Sequence, residues 1–560
     1  MKSDVTSGTE LVHLTIDGMP VEAPKGTTIL QAAEMIGIHI PRYCYHPGLE
    51  IVGICRICQV EVEGFSKPMI SCYTRVEEGQ KVLTKSPLAE RSRRSDLEFL
   101  LVNHPIDCPI CDTSGECDLQ NYYMTDGKHK SRLRNHKVNR RKRKRIGQNV
   151  VLDQERCILC SRCVRFLKDV TGTHELGFFG RGVDSYIDVV EGKSLEGNVY
   201  AGNVIDLCPV GALTDDDFRF KCRVWYLSTA PSVCGHCANG CNIEVHYNIE
   251  RCWLNDGKRI MRIKPRYNPN VNGHWMCDIG RYNYDFAEQP SRVKRPLVAR
   301  DGAQVEITWD EALGIAAQWL LGEEGNDGGK KGIAFIPSLW MTNEAAWLAK
   351  KVFLESLGAA AVGFRKGEGE SGGDGLLLRN DRNPNRLGLE LIGLDDAGRG
   401  LPKDDLLKKA AEGQFGVLVY MQDLPDRVPP AGVIEAAAKG VERLIVFAPN
   451  ESALTRRAHL VLPICPWSED HGTWVNWRGR VQWLTPALPP IGYAKIASEA
   501  LALLGERAGH PCGDGSPTAT FELIARDVPA FSGIRWDDLK GSGVALAGYE
   551  DKKWTGRSGS

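Results

Sequence analysis

The sequence predicts a multidomain α/β protein with two stretches of different character. A cysteine-rich first half reads as small metal-binding modules, and a second half reads as a doubly wound, mostly parallel sheet. Three observations carry this. Fifteen of the nineteen cysteines, with one histidine, fall into four spaced groups that end at Cys277. After about residue 296 cysteine nearly vanishes and strand patterns alternate with helical ones. At 560 residues the chain has the length of three or four domains of roughly 100 to 200 residues each.

The run LVHLTIDGMPVEAP alternates apolar and polar residues about an Asp-Gly turn and predicts a hairpin. GTTILQAAEMIG follows with a threonine cap, helical apolar spacing and a closing glycine, so a helix is expected across that hairpin. Cys44, Cys55, Cys58 and Cys72 come next, with the crowded loop, short C-x-x-C and distant fourth cysteine of a [2Fe-2S] loop. Two strands, a helix and this loop resemble a plant-type ferredoxin, a β-grasp. SPLAERSRRSDLEFLLVNHP then predicts a helix ending at His104.

Three further sets separate by spacing. His104, Cys108, Cys111 and Cys117 lie in HPIDCPICDTSGEC. Cys157, Cys160 and Cys163 lie in CILCSRC and are completed by Cys208 in CPVG; Cys234, Cys237 and Cys241 lie in CGHCANGC and are completed by Cys277. Thiolates are soft, deprotonate on binding and satisfy iron tetrahedrally, so close pairs with a remote closing ligand suit a cluster core. C-x-x-C pairs alone leave zinc open. The C-x-x-C-x-x-C run with its remote Cys-Pro and the ferredoxin-type loop favour iron and sulfur. Cys222, Cys252, Cys465 and Cys512 remain and are expected as small core hydrophobes. His46 and His236 are expected to pack or hydrogen-bond, and Trp467, Trp474, Trp477 and Trp483 to serve core and interface.

The densest charge in the chain is KHKSRLRNHKVNRRKRKR, residues 128–145. It lacks interleaved aromatics and joins two cysteine modules, so it reads as a solvated or subunit-facing linker and not as a nucleic-acid site. A long excursion, VTGTHELGFFGRGVDSYIDVVEGKSLEGN, separates Cys163 from Cys208, and the fourth set sits among short alternating strands such as CNIEVHYN and RIMRIKPR. Beyond these, KKGIAFIPS, TNEAAWLAKKVFLESLG, AAVGF, FGVLVYM, VIEAAAKG and RLIVFAP form βαβ units. The glycine-rich RKGEGESGGDG lacks the spacing of a phosphate fingerprint and is expected as a flexible loop.

Charge is balanced at a formal net −1, which removes any global case for nucleic acid or an anionic membrane. A composition 42% hydrophobic and 25% charged is that of ordinary globular protein. The start MKSDVTSGTELVHLTIDG lacks the features of a signal or transit peptide, and no apolar run approaches the ~20 residues of a spanning helix. C-x-x-C groups in such a chain point to metal in a reducing compartment rather than to disulfides.

GRGVDSYI and GNVIDLCPVGALTDDDFRFKCRVW, with HPIDCPICDTSGECDLQNYY ahead of them, resemble the large iron-sulfur subunit of NADH:quinone oxidoreductase, respiratory complex I. The resemblance runs along nearly the whole chain. It implies a [2Fe-2S] cluster on the first set, a [4Fe-4S] cluster with one imidazole ligand on the second, and a [4Fe-4S] cluster on the third. It implies a further [4Fe-4S] cluster on the fourth set, found only in some bacterial members and off the main electron path. The remainder resembles the molybdopterin oxidoreductase superfamily through RVKRPLVARDGAQVEITWDEAL, NPNRLG and SEDHGTWVNWRGRVQ. Active members carry a lysine just after the last cluster cysteine and a later cysteine or selenocysteine metal ligand. Here Ile279 stands near the lysine position and no cysteine occurs between Cys277 and Cys465, so no molybdenum is expected.

The expected domains are 1–86, a plant-type 2Fe-2S ferredoxin domain; 87–127, a 4Fe-4S domain with one histidine ligand; and 128–228, a ferredoxin-like 4Fe-4S domain. After these come 229–290, a 4Fe-4S domain of molybdopterin oxidoreductase type, and 291–560, a degenerate molybdopterin-oxidoreductase-like domain without its active metal centre. The resemblance implies an electron relay between a flavin/NADH-binding subunit, a two-cluster ferredoxin subunit and quinone-module subunits, on the cytoplasmic side of the bacterial inner membrane without direct insertion. The chain shows no flavin or NAD fingerprint, so no catalytic acid, base or independent active site is expected. One rival is the large subunit of an NAD-linked formate dehydrogenase or hydrogenase, which needs two interleaved ferredoxin clusters and an active metal. A non-redox zinc scaffold is a rival of another class.

Overall fold

Strands Leu11–Ile16 and Met19–Pro24 pair antiparallel about Asp17 and Gly18, whose φ values of 50° and 81° are the left-handed pair that a two-residue hairpin turn requires. The alternation turns Val12, Leu14 and Ile16 inward. Helix Ile29–Met35 begins in a capping box in which Thr28 and Gln31 satisfy each other's backbone, and it buries Ile29, Leu30, Ala32 and Ala33 against that sheet. In space the five strands run Met19–Pro24, Leu11–Ile16, Lys81–Leu83, Gln59–Val62, Met69–Ile70, with the second and third parallel. This is the β-grasp arrangement expected from the sequence; Cys44, Cys55 and Cys58 lie between its helix and strand Gln59–Val62, and Cys72 follows strand Met69–Ile70.

The computed structural model describes residues 10–128, 130–322, 331–364, 372–395, 398–549 and 553–554. Residues 1–9, His129 of the basic run and 365–371 of the glycine-rich run lie outside the described residues. The chain divides into two compact units, Met1–Leu227 and Ser228–Ser560.

In the first unit, helix Pro87–Leu101 starts at Ser86, whose side chain accepts from the Ala89 N–H, and packs against helix Asp118–Asp126. The third cysteine set is framed by a small antiparallel sheet of Lys144–Arg145, Val150–Leu152 and Leu213–Asp215. The long excursion before Cys208 folds as a hairpin, Leu176–Phe179 with Tyr186–Val189. The basic run is largely exposed, as expected of a solvated linker, and acids and carbonyls distant in sequence also meet it. Arg132 pairs with Glu98 at 2.5 Å, Lys142 reaches Asp107, Asp153 and Glu155, and Lys144 pairs with Asp188 at 2.5 Å. It is a strap laid across the second and third cysteine modules.

The second unit opens with the antiparallel sheet Ser228–Val233, Asn242–Tyr247, Ile260–Pro265, followed by helix Asp278–Tyr282. A seven-stranded sheet then forms in the order Ala303–Glu306, Leu297–Arg300, Leu460–Pro463, Arg443–Ala448, Val417–Met421, Ile333–Ile336, Ala361–Val362. Its last five strands are parallel and, numbered along the chain, stand in the doubly wound order 2-1-3-4-5. The hairpin Leu297–Arg300/Ala303–Glu306 adds two antiparallel strands at one edge. The parallel strands are buried on both faces, as runs such as VLVYM require.

Candidate metal centres

The first set sits in a loop bent by left-handed backbone at Gly53 (φ 60°) and Arg56 (φ 64°). Cys44, Cys58 and Cys72 are buried and Cys55 half-buried. The Cys44 N–H donates to Cys55 Sγ at 3.4 Å, and Ser71 Oγ donates to the Cys58 carbonyl at 2.7 Å. Hydrogen bonds among the thiols hold Cys44 and Cys58 below the ordinary thiol value and Cys55 and Cys72 above it. The four side chains therefore share one site.

In the second set Cys108 opens a tight turn, Cys108–Ile110, and Cys117 precedes helix Asp118–Asp126. Lys137 of the basic strap donates to the carbonyls of Leu101 and His104 at 2.7 and 2.6 Å, and Arg223 donates to those of Pro109 and Cys111 at 2.5 Å each. Burial lowers His104 to about 4, so its imidazole is neutral at pH 7, the form that ligates metal. Its Nδ1 is buried with no hydrogen-bond partner. A buried imidazole nitrogen without a partner is costly, and a metal bond would satisfy it.

The third set is the best defined. Cys157, Cys160, Cys163 and Cys208 all line one small apolar cavity, together with Leu152, Ile158, Ile187, Val210, Ala212 and Leu213. Leu159 (φ 56°) and Ser161 (φ 65°) adopt left-handed backbone in the C-x-x-C-x-x-C loop, at a cost of about 1–2 kcal/mol each. Burial pushes the Cys157 and Cys160 thiols up to about 12 and 11 and raises Cys163 well above the ordinary thiol value, with neighbouring thiols adding to the rise. Four thiols crowded in apolar surroundings stay protonated until a cation takes the place of their protons.

The fourth set, Cys234, Cys237, Cys241 and Cys277, is wholly buried, and each thiol is raised first by burial. Its loop is clamped by the segment SEDHGTWVNWRGRVQ. Trp477 N–H donates to the Ala238 carbonyl at 2.9 Å, Gln482 Nε2 to that of Gly240 at 2.9 Å, and Trp477 Nε1 to Asn239 Oδ1 at 3.1 Å. Asn239 Nδ2 in turn points to Cys241 Sγ at 3.1 Å. A Cβ on Gly280 would stand 2.6 Å from Cys234 Sγ, so glycine leaves that thiol its space.

Sets one, two and three meet in a single apolar cluster. Tyr43, Cys44, Cys117, Cys160, Val210 and Ala212 are buried together, with Cys55, Cys157 and Cys208 packed against them. The Asp118 N–H donates to the Pro209 carbonyl at 3.0 Å, and a Cβ on Gly211 would come within 2.2 Å of Cys111 Sγ, so the CPVG turn of set three lies directly against set two. Among the described residues no three His, Cys, Asp or Glu side chains close around a point fit for a single ion.

Sequence reasoning passed over Tyr43, Gly211 and the buried Arg162 and Arg165. Gly211 was visible as the glycine of CPVG; the others act through contacts far apart in sequence, with no spacing signature. Of the leftover cysteines, Cys222 and Cys465 are buried while Cys252 and Cys512 are half-buried. His46 Nδ1 accepts from the Gly48 N–H at 3.1 Å, and His236 packs edge-on to Trp340 at 5.5 Å. Trp467 and Trp474 are core residues, but Trp477 is 39% exposed and lies against the guanidinium of Arg379 at 3.9 Å.

At the switch point of the parallel sheet, between the ends of Ile333–Ile336 and Val417–Met421, a crevice of about 450 Å³ is lined by Ser338, Trp340, Gln422, Asp423, Cys465, Trp467 and Asp470 among others. Burial raises both acids, Asp470 to about 7. Lys403 and Arg427 act on the Asp423 carboxyl.

Comparison with known families matches residues 9–87 to a 2Fe-2S iron-sulfur cluster binding domain and 93–132 to the NADH-ubiquinone oxidoreductase-G iron-sulfur binding region. Residues 147–214 match the NADH-quinone oxidoreductase subunit 3 ferredoxin-like domain, 230–285 the NADH-ubiquinone oxidoreductase NDSU1/NuoG-like 4Fe-4S domain, and 401–507 molybdopterin oxidoreductase. The chain is 44% identical over 322 residues to the NADH-quinone oxidoreductase G subunit of Streptomyces coelicolor, covering 57% of this chain and 37% of that one. It is 43% identical over 303 residues to the NADH-ubiquinone oxidoreductase 75 kDa subunit of Reclinomonas americana, covering 54% and 42%. The matched stretch thus spans about two fifths of these relatives. A chain in the crystal structure of an NAD+-reducing [NiFe]-hydrogenase shares 32% identity over 38% of this chain and 91% of its own, at a TM-score of 0.35.

Proposed function

We propose that this chain, which carries the iron-sulfur regions of an NADH-quinone oxidoreductase, is an electron-relay subunit of such an oxidoreductase, passing electrons from a flavin-bearing subunit toward quinone in a proton-translocating complex. The observation that carries this is the shared apolar cluster in which ligands of three sets are packed. Iron-sulfur clusters, when bound, supply one-electron chemistry tuned by their ligands and surroundings.

In this reading Cys44, Cys55, Cys58 and Cys72 hold a [2Fe-2S] cluster. His104, Cys108, Cys111 and Cys117 hold one [4Fe-4S] cluster, Cys157, Cys160, Cys163 and Cys208 a second, and Cys234, Cys237, Cys241 and Cys277 a third. The residues around them do three things. They exclude water, they fix the thiols on rigid turns, and they place neutral imidazole rather than a thiolate in one set, which makes that site less negative. The five segments 1–86, 87–127, 128–228, 229–290 and 291–560 each carry one centre or, in the last case, none.

Outer-sphere transfer needs no acid, base or nucleophile, and none is assigned. The last segment is a scaffold without molybdenum: Ile279 stands near where the bridging lysine of active members would be, and no cysteine occurs between Cys277 and Cys465. Partners are the flavin/NADH-binding subunit, a two-cluster ferredoxin subunit and quinone-module subunits. No helix of the described residues is long and apolar enough to cross a membrane. Attachment to the cytoplasmic face of the bacterial inner membrane runs, in this reading, through those partners.

Isolating the native assembly through a tag on this chain should recover a flavin-bearing subunit, and NADH alone should reduce the iron-sulfur signals. Recovery of a zinc-loaded chain with no reducible signal would overturn the proposal. So would hydrogenase or formate dehydrogenase activity in place of quinone reduction.

A further inference from the structure

Two buried cations stand between the first and third cysteine sets, and among the described residues neither has an ion-pair partner. Arg162 and Arg165 flank Cys163 on the short helix Arg162–Arg165 and are only 8% and 7% exposed. Arg162 lines the cavity of set three, donates to the Leu207 carbonyl beside Cys208 at 3.1 Å, and donates to the Tyr45 carbonyl beside Cys44 at 2.7 Å. Arg165 donates to the carbonyls of Cys44 and Glu50 in the first loop and to Ser161 Oγ at 2.9 Å. Each side chain thus spans from one set to the other.

Every hydrogen-bond partner of these guanidiniums named above is a neutral oxygen. The carboxylates of Asp118 and Asp169 act on Arg162 and Arg165 at longer range, without a hydrogen bond to either among the described residues. Arg162 Nε is buried with no partner at all. The arginine of the second set provides the contrast: Arg156 is held by Asp107 at 2.7 Å and Asp153 at 3.3 Å. Carbonyl hydrogen bonds orient a guanidinium but do not cancel its charge, and an uncompensated buried charge costs several kcal/mol. The pair calls for an anion on each side, and a thiolate-ligated cluster is one. The thiol groups foremost in the electrostatics of Arg165 are Cys44 and Cys160, one from each set.

We propose that Arg162 and Arg165 are shared positioning residues for the centres of sets one and three, raising both reduction potentials together by stabilising the more negative, reduced form of each. Because one pair of charges faces both sites, removing one of them shifts both potentials in the same direction, while the second set, with its own ion-paired Arg156, and the fourth are not shifted. This deepens the relay reading and rests on its ligand assignment.

The test is potentiometric titration followed by electron paramagnetic resonance on the native assembly containing Arg165→Gln, Arg165→Lys or Arg162→Gln, with iron and sulfide measured on each sample. Both glutamine variants should move the midpoints of sets one and three downward by at least the equivalent of a tenfold change in reduced-to-oxidised ratio, about 59 mV for a one-electron couple. Sets two and four should hold, and Arg165→Lys, which keeps the charge, should stay near the parent. If Arg165→Gln loses iron from sets one and three, its retention in Arg165→Lys supports the same role. Unchanged midpoints in iron-replete glutamine variants, equal shifts in all four centres, or iron loss in both Arg165 variants would overturn it. A parent chain without any iron-sulfur signal would instead overturn the ligand assignment.

Discussion

At the scale of single residues, small groups decide whether the thiols have room and charge. The contact between Gly211 and Cys111 Sγ leaves no space for a methyl group, and the backbone on both sides is tied by the Asp118 to Pro209 hydrogen bond. Gly211→Ala should therefore deplete the His104-containing set of iron while set three survives, as read by paramagnetic resonance and iron content; retention of both at parent level would contradict the packing. A second residue-scale expectation concerns Glu344. It is fully buried and accepts from Thr473 N–H and Oγ1 at 2.8 Å each. Burial pushes its carboxyl from 4.5 up to about 8, and Asp470 adds to the rise. Since the folded value is the higher, its stabilisation is full below pH 4.5 and lost progressively as pH rises to about 8. Glu344→Gln should flatten that decline, whose limit is about 1.4 kcal/mol per pH unit, in melts recorded from about pH 5 to 8. The grouping of the cysteines was legible because the spacing of C-x-x-C pairs is local. Arg162, Arg165 and Tyr43 were not, since a guanidinium or phenol acquires its role only when the fold brings a distant loop to it.

At the scale of elements, local signals were reliable where the cause is local. The Asp17-Gly18 turn and the Thr28 cap stand where their chemistry places them. The basic strap and the antiparallel hairpin at the sheet edge were hidden because each is fixed by partners far along the chain. The motif NPNRLG belongs to the same class. Asn385 is buried, donates to the Met341 carbonyl at 2.9 Å and to Asn343 Oδ1 at 3.0 Å, and accepts from the Val475 N–H at 2.7 Å. It thereby joins the helix after Ile333–Ile336 to the segment that clamps the fourth set. Asn385→Ala strands these groups and should cost about 1–3 kcal/mol, measured by denaturant unfolding of the second unit's transition. A change below a few tenths of a kcal/mol would remove this role.

At the scale of the whole molecule, the four cysteine sets are of unequal standing. Three are packed in one apolar cluster of the first unit, while the fourth is held inside the second unit by a clamp that belongs to the molybdopterin-oxidoreductase-like part of the chain. Cys234→Ala should abolish one [4Fe-4S] signal yet leave NADH-driven quinone reduction by the assembled complex within about twofold; loss of turnover with assembly intact would place that centre on the path. Mass spectrometry of the purified chain should find no stoichiometric molybdenum or tungsten. The central claim is that the chain is a carrier of four iron-sulfur clusters. Iron and acid-labile sulfide analysis, joined to low-temperature paramagnetic resonance of the dithionite-reduced, anaerobically purified chain, tests it most directly. The account expects about fourteen irons and as many sulfides per chain, with one [2Fe-2S] and three [4Fe-4S] signals. Stoichiometric zinc with no reducible signal would contradict it.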